Sequence, residues 1–150
     1  MISGFSDLTH YFNVRVYYED TDFSGVVYHA NYLKYAERAR SDFLRHAGVN
    51  HAELLALENP LAFVVTKMDM DFLAPARIDD ELQVTSICTL AKGVRMQFHQ
   101  IVSRGATCLW RAKVAAACID LDGRPRRLPA NACEQLAPLV MEAVPETFIW

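Results

Sequence analysis

Three carboxylates and one histidine fall within eleven residues, Glu19, Asp20, Asp22 and His29, inside the run Tyr18-Glu19-Asp20-Thr21-Asp22-Phe23-Ser24-Gly25-Val26-Val27-Tyr28-His29-Ala30-Asn31-Tyr32. A carboxylate beside a polarised carbonyl works as a general base on water or as a nucleophile. Asp22 is the first candidate for that work; its other reading is an Asx turn or a helix cap. His29 is placed to donate to a carbonyl or to orient a substrate, and its other reading is a local hydrogen-bonding residue at a helix start. Glu19 and Asp20 read as surface or turn acids. Ser24, His29 and Asp22 supply the residue types of a triad, but no Gly-x-Ser-x-Gly elbow surrounds Ser24. A metal site built on His29 and the acids lacks a second histidine at ligand spacing, and no metal is assigned.

The elements on either side explain why this run matters. Phe12, Val14, Val16 and Tyr18 alternate with Asn13, Arg15, Tyr17 and Glu19, the period of a half-buried strand. From Ala30 to Ala47 the period changes: Tyr32, Ala36, Ala39, Phe43 and Ala47 recur every three or four residues, an amphipathic helix ended by Arg45, His46 and Gly48. The acidic loop therefore runs into a helix N-terminus, where free N–H groups and the positive end of the helix dipole stabilise an oxygen gaining negative charge. Such a site suits acyl transfer.

A second short helix is expected over His51–Leu57. Four stretches then have strand character, Leu61–Leu73, Glu81–Leu90, Val94–Val102 and Thr107–Leu121, joined by short glycine- and proline-bearing breaks that suit an antiparallel meander. Ala130–Met141 reads as a terminal helix weakened by Pro138. The order predicts an α+β domain, one long central helix covered by a curved antiparallel sheet of about five strands. Apolar residues on the far sheet face point to paired subunits.

The chain has 150 residues, 52% hydrophobic and 22% charged, which fits a single domain with its own core and no need of a staple. Fifteen basic against 18 acidic residues give a net charge of -3, the wrong sign for a nucleic-acid binder. Cys88, Cys108, Cys118 and Cys133 contain no Cys-x-x-Cys pair and read as reduced core residues. No apolar run approaches a membrane span, and the first Lys or Arg is Arg15, so a cytoplasmic location is expected.

The run Val14 to Asp22, then Gly25-Val26-Val27-Tyr28-His29-Ala30-Asn31-Tyr32, then Tyr35-Ala36-Glu37-Arg38-Ala39-Arg40, and further on Met68 to Asp80, resembles the hotdog-fold acyl-CoA thioesterases of the 4-hydroxybenzoyl-CoA thioesterase superfamily. Within it the nearest match is the YbgC-like group associated with the bacterial Tol-Pal system. The likeness covers about residues 12 to 130, leaving 131–150 as a C-terminal extension. It implies hydrolysis of an acyl-CoA, or of an acyl group on acyl carrier protein, with no cofactor beyond the coenzyme A of the substrate. It further implies Asp22 and His29 as catalytic residues, with the N–H at His29 polarising the carbonyl, Tyr28 beside the substrate, and active sites at a homodimer interface, the dimers pairing into tetramers. Glu37 reads as structural, paired to Arg40 or Arg15. Lys92, Arg95, Arg124 and Arg126 are the cations available to the coenzyme A phosphates. Two other readings stay open: a non-hydrolytic thioester binder of a lipid or envelope complex, and a hotdog dehydratase, against which the Glu-Asp-Thr-Asp run argues.

Overall fold

The computed structural model describes residues 3–150. Its elements run β1 (Ser3–Ser6), β2 (Thr9–Arg15), α1 (His29–His46), α2 (His51–Leu55), β3 (Leu61–Phe72), β4 (Glu81–Lys92), β5 (Arg95–Arg104), β6 (Thr107–Asp120) and α3 (Ala130–Leu136), with single 3-10 turns at Tyr18–Asp20, Ala137–Leu139 and Glu146–Phe148. The strands form one antiparallel sheet in the order β1-β2-β4-β5-β6-β3, so β1 and β3 are its edges.

The long helix is placed as its periodicity requires. Tyr32, Ala36, Ala39 and Phe43 are buried against the sheet, and Tyr35 and Leu44 join them. Two alanines at 0% exposure let the helix backbone approach the strands closely. In that close contact Gln100, fully buried on β5, donates to the Ala36 carbonyl (2.9 Å) and to the Ser86 hydroxyl (3.0 Å), and its own oxygen accepts from Arg40 (2.9 Å). This network fixes the middle of α1 over the centre of the sheet without leaving the amide unpaired. The helix ends where expected: Gly48 has φ +92° and the N–H of Val49 returns to the Leu44 carbonyl (2.8 Å). A side chain at Gly48 would meet only the flexible end of Gln135 of the α3 helix, at 2.8 Å, so the backbone conformation is what favours glycine there.

The sheet has six strands rather than five. The sixth is β1, four residues that pair with β2 across a turn in which Asp7 has φ +53°. Its Ser-Gly-Phe-Ser composition carries no strand signal; pairing to β2 and the packing of Phe5 on Phe43 (4.8 Å between rings) supply its stability. The preceding expectation for strand one also shifts, from 12–19 to Thr9–Arg15. Val16 is still buried, but its N–H bonds to Asp80 and its carbonyl to Asp79, outside the ladder. Tyr17 and Tyr18 are exposed at 63% and 83% because the Asp20 carboxylate takes the N–H of Tyr17 (2.8 Å) and winds the chain into a 3-10 turn. The terminal helix stops at Leu136, and Pro138 lies in a 3-10 turn. Beyond it the chain crosses the other face of the sheet, where Phe148 is buried against Ile87 and Ile101.

All four cysteines are free thiols, and burial pushes Cys88 up to about 11, which makes it inert at neutral pH. No helix is long and apolar enough to cross a membrane among the described residues.

Candidate active site

The acidic loop is built by hydrogen bonds between its own residues and two other segments. Thr21 and Val27 form an isolated antiparallel bridge, and inside it the N–H of Asp22 bonds to the Val26 carbonyl (2.9 Å) while the N–H of Gly25 returns to the Asp22 carbonyl (3.0 Å). Gly25 has φ +79°, a conformation that costs a residue with a Cβ about 1 kcal/mol or more. The Asp22 carboxylate accepts from the N–H of Ser24 (2.8 Å). The Asx-turn reading of Asp22 is thus realised, and it does not displace the catalytic one. The turn engages one carboxylate oxygen, holds the side chain in one orientation, and leaves the second oxygen with no protein partner among the described residues.

Two further contacts dock this loop. The Asp20 carbonyl accepts both the N–H of Tyr28 (2.9 Å) and the side-chain amide of Asn31 (2.8 Å), joining the loop to the first turn of α1. The N–H of Val27 bonds to the Ala76 carbonyl (2.8 Å), and the Ala76 N–H donates to the Tyr32 hydroxyl (3.0 Å). Arg104 secures the same segment from below, donating to the Pro75 carbonyl (3.2 Å) and to Asp80 (2.7 Å). Burial alone would raise Asp80; the Arg77 N–H and the Arg104 guanidinium outweigh it and hold the carboxyl below its usual range.

His29 is the first helical residue, and Tyr28 before it makes no side-chain cap. The carbonyl of Tyr28 takes the N–H of Asn31 (2.8 Å), while the N–H groups of His29 and Ala30 have no protein acceptor among the described residues. These are the donors a helix start leaves open, and they bear the positive end of an 18-residue dipole. The His29 imidazole is exposed, packed at 4.5 Å on the half-exposed ring of Tyr28 and edge-on at 6.2 Å to Phe72. No hydrogen bond joins it to Asp22. An apolar depression of about 280 Å³ opens at this point, lined by Val27, His29, Tyr32, Phe72, Leu73, Ala74 and Pro75.

The structure therefore brings Asp22, Tyr28 and His29 to one end of α1. It does not bring the expected phosphate cations there within one chain. Arg95 pairs with Ala117 on β6 while Phe72 pairs with Trp110, seven positions away, so Lys92 and Arg95 lie about 23 Å along the sheet at 3.3 Å per residue. Arg124 and Arg126 share that far end, where Arg126 is paired to Asp120 (2.9 Å). Glu37 is bonded to neither Arg40 nor Arg15: it accepts from Ser41 (2.8 Å), Arg40 turns inward to Gln100, and Arg15 pairs with Glu81 (3.2 Å). The Ser24 hydroxyl touches neither His29 nor Asp22, so the triad geometry is not formed. One trio among the described residues, His10, Asp42 and His46, brings three metal-capable atoms within 4.8 Å, at the opposite end of α1 from His29. Asn31 and the Leu73–Arg77 wall are the site-building features that periodicity and motif chemistry did not single out.

One long helix over a six-stranded antiparallel sheet, with an acid-bearing loop laced to the helix N-terminus, defines the hotdog fold of thioester hydrolases. The sequence pattern of the thioesterase-like superfamily matches residues 16–143, and the chain belongs to that superfamily. It is 47% identical over 120 residues to the acyl-CoA thioester hydrolase YbgC of Escherichia coli, a match covering 79% of this chain and 88% of that one. A crystal structure of a probable thioesterase from Bartonella henselae is 45% identical and superposes with a TM-score of 0.78 over 81% of this chain and 99% of that one. A 1,4-dihydroxy-2-naphthoyl-CoA thioesterase from Synechocystis, 25% identical, superposes with a TM-score of 0.76 over 88% and 95% of the two chains.

Proposed function

We propose that this protein hydrolyses acyl-CoA thioesters to a free acid and coenzyme A, with Asp22 as the catalytic carboxylate and the N–H of His29 as the oxyanion donor. The observation that carries the reading is the pairing of a fixed carboxylate, one oxygen open, with two acceptor-free N–H groups at the start of α1 beside an apolar depression. In the acylation-free route the substrate carbonyl oxygen lies on the His29 N–H, and Asp22 takes a proton from water as the water oxygen bonds to the carbonyl carbon. The C–S bond then breaks, and the thiolate leaves as coenzyme A. In the covalent route the Asp22 oxygen attacks first, thiolate departs, and water cleaves the resulting anhydride. Both need the same two groups. Neither requires a cofactor. Tyr28 packs on His29 and borders the path of the substrate.

Assembly follows from the edge strands. β3 ends the sheet with Val64 and Val65 exposed at 39% and 47%, and this apolar stretch of the edge pairs with a second copy to give at least a dimer, the dimers pairing into tetramers. In such an assembly Lys92, Arg95, Arg124 and Arg126 reach the phosphates of a bound coenzyme A, which the pantetheine arm carries well away from the thioester. The same site accepts an acyl group carried on acyl carrier protein, and the setting is cytoplasmic.

Thiol release from butyryl-, benzoyl- and decanoyl-CoA by wild type and Asp22→Asn tests the reading. Asn keeps the shape and removes the charge, so a loss of about 10²-fold or more in kcat is expected; turnover equal to wild type would sink both routes.

A further inference from the structure

One wall of the apolar depression beside His29 is the ring of Phe72. Phe72, the last residue of β3, is 50% exposed, and its ring stands edge-on to His29 (6.2 Å), to Tyr32 (5.8 Å) and to Trp110 (6.4 Å). The residues behind it do not move easily. Trp110 is fully buried and stacks parallel to Tyr32, with an interplanar angle of 11°, and the Tyr32 hydroxyl is held by the Ala76 N–H (3.0 Å). Ala76 in turn is fully buried and tied to Val27. Leu73 and Ala74 are pinned by bonds from their N–H groups to the Leu109 carbonyl (2.8 and 3.2 Å). Val27, Tyr32 and the backbone of Leu73 and Ala74 are thus fixed by hydrogen bonds or by burial, while the side chains of His29, Leu73 and Pro75 are exposed.

We propose that Phe72 is the specificity-determining residue of this site, its ring setting the upper size of the acyl group that reaches the His29 N–H. The proposal rests on the thioesterase reading above. At about 280 Å³ the open depression has room for an acyl group but not for the whole of coenzyme A. A small acyl group, a short chain or one ring, fills it against the three aromatic faces, where edge-to-face contact favours a compact occupant. A longer chain runs into the Phe72 ring. Deleting that ring leaves space that Trp110 and Tyr32 cannot collapse into, because rigid surroundings preserve a cavity instead of filling it, and an apolar cavity of this kind binds apolar guests.

The test is kcat/KM for butyryl-, benzoyl- and decanoyl-CoA in wild type, Phe72→Ala and Phe72→Trp, with a thermal melt on each variant. The wild type is expected to favour the two small groups. Phe72→Ala should raise the decanoyl-to-butyryl ratio by about tenfold or more, the scale on which a few methylenes are discriminated by an apolar wall. Phe72→Trp should move selectivity the other way, lowering benzoyl relative to butyryl. Wild-type hydrolysis with ratios unmoved in both folded variants would overturn the role of Phe72 and leave the thioesterase reading standing. Failure of the wild type to hydrolyse all three esters would overturn both. If Phe72→Ala does not fold, the Phe72→Trp ratio decides alone.

Discussion

The side-chain amide of Asn31, 7% exposed in the first turn of α1, donates a 2.8 Å hydrogen bond to the backbone carbonyl of Asp20. The same carbonyl accepts the N–H of Tyr28 at 2.9 Å, so one oxygen ties the loop that carries Asp22 to the helix that carries His29. Asn31→Ala removes the side-chain tie and leaves the backbone one. We expect it to cost about 1–2 kcal/mol of stability, and to lower kcat with little change in KM, because the groups are present but no longer held in register. Chemical denaturation and steady-state kinetics check both parts; a KM effect alone would place Asn31 in substrate binding instead.

Ser24 separates backbone from side chain in the same loop. Its N–H orients the Asp22 carboxylate, while its hydroxyl has no part in the site. Ser24→Ala should keep kcat within about twofold of wild type, since the N–H survives. Ser24→Pro deletes that N–H and also disturbs the Asp22–Gly25 turn, in which Ser24 is the third residue, so kcat should fall by about tenfold or more. A large loss in Ser24→Ala would revive a nucleophilic serine.

Much of this was readable in the residues themselves. The stripe Tyr32, Ala36, Ala39, Phe43 gave the helix and its buried face because a helix that covers a sheet repeats its apolar residues regardless of what it covers. The strand β1 was not readable: four residues with Gly4 and two serines take their strand conformation from pairing with β2, a contact that no local pattern encodes. Alternation overruns the end of strand one because Tyr17 and Tyr18 continue it, whereas the Asp20 carboxylate decides the backbone there. Asp22 and His29 stood out by type and by resemblance. Asn31 and Ala76 did not, since an amide on a helix and an alanine after a proline acquire their roles only when the loop folds back onto them. The placement of the cations was illegible for a related reason: charge is visible in sequence, but the 23 Å of sheet between Arg95 and Phe72, about seven residues of rise, is a property of register.

Stability should fall as pH drops from about 7 to 5. Burial lowers His10, outweighing the Asp42 carboxylate bonded to it at 2.7 Å, and burial also lowers His99 despite its contact with the Phe148 carbonyl. Each is less ready to protonate folded than unfolded. The unfolded chain therefore binds more protons below the ordinary histidine value of 6.5, and unfolding gains ground as pH falls through it. The depressed carboxyl of Asp80 acts in a separate window, below about pH 4, where its stabilising charge is lost. Melting temperature measured from pH 8 to 5 should decline, and His99→Gln should flatten the slope. A wild-type profile that rises toward pH 5 would refute the assignment.

The first residue of α1 offers a way to delete an oxyanion donor without deleting the helix. Proline is well tolerated at the first helical position, where its missing N–H has no intrahelical partner and its fixed φ suits the helix. It demands an extended residue before it, and Tyr28 already has φ -60° and ψ 132°. His29→Pro therefore keeps α1 and removes the N–H that should hold the carbonyl oxygen, so kcat is expected to drop about 10²–10³-fold, the usual loss for one such donor. His29→Ala removes the imidazole and retains that N–H, and should lose far less if the imidazole only flanks the substrate. Circular dichroism establishes that both variants keep the helix, and kcat then ranks them. An Ala variant as damaged as the Pro variant would transfer the role from the backbone of His29 to its ring, and the mechanism would have to be rewritten around an imidazole donor.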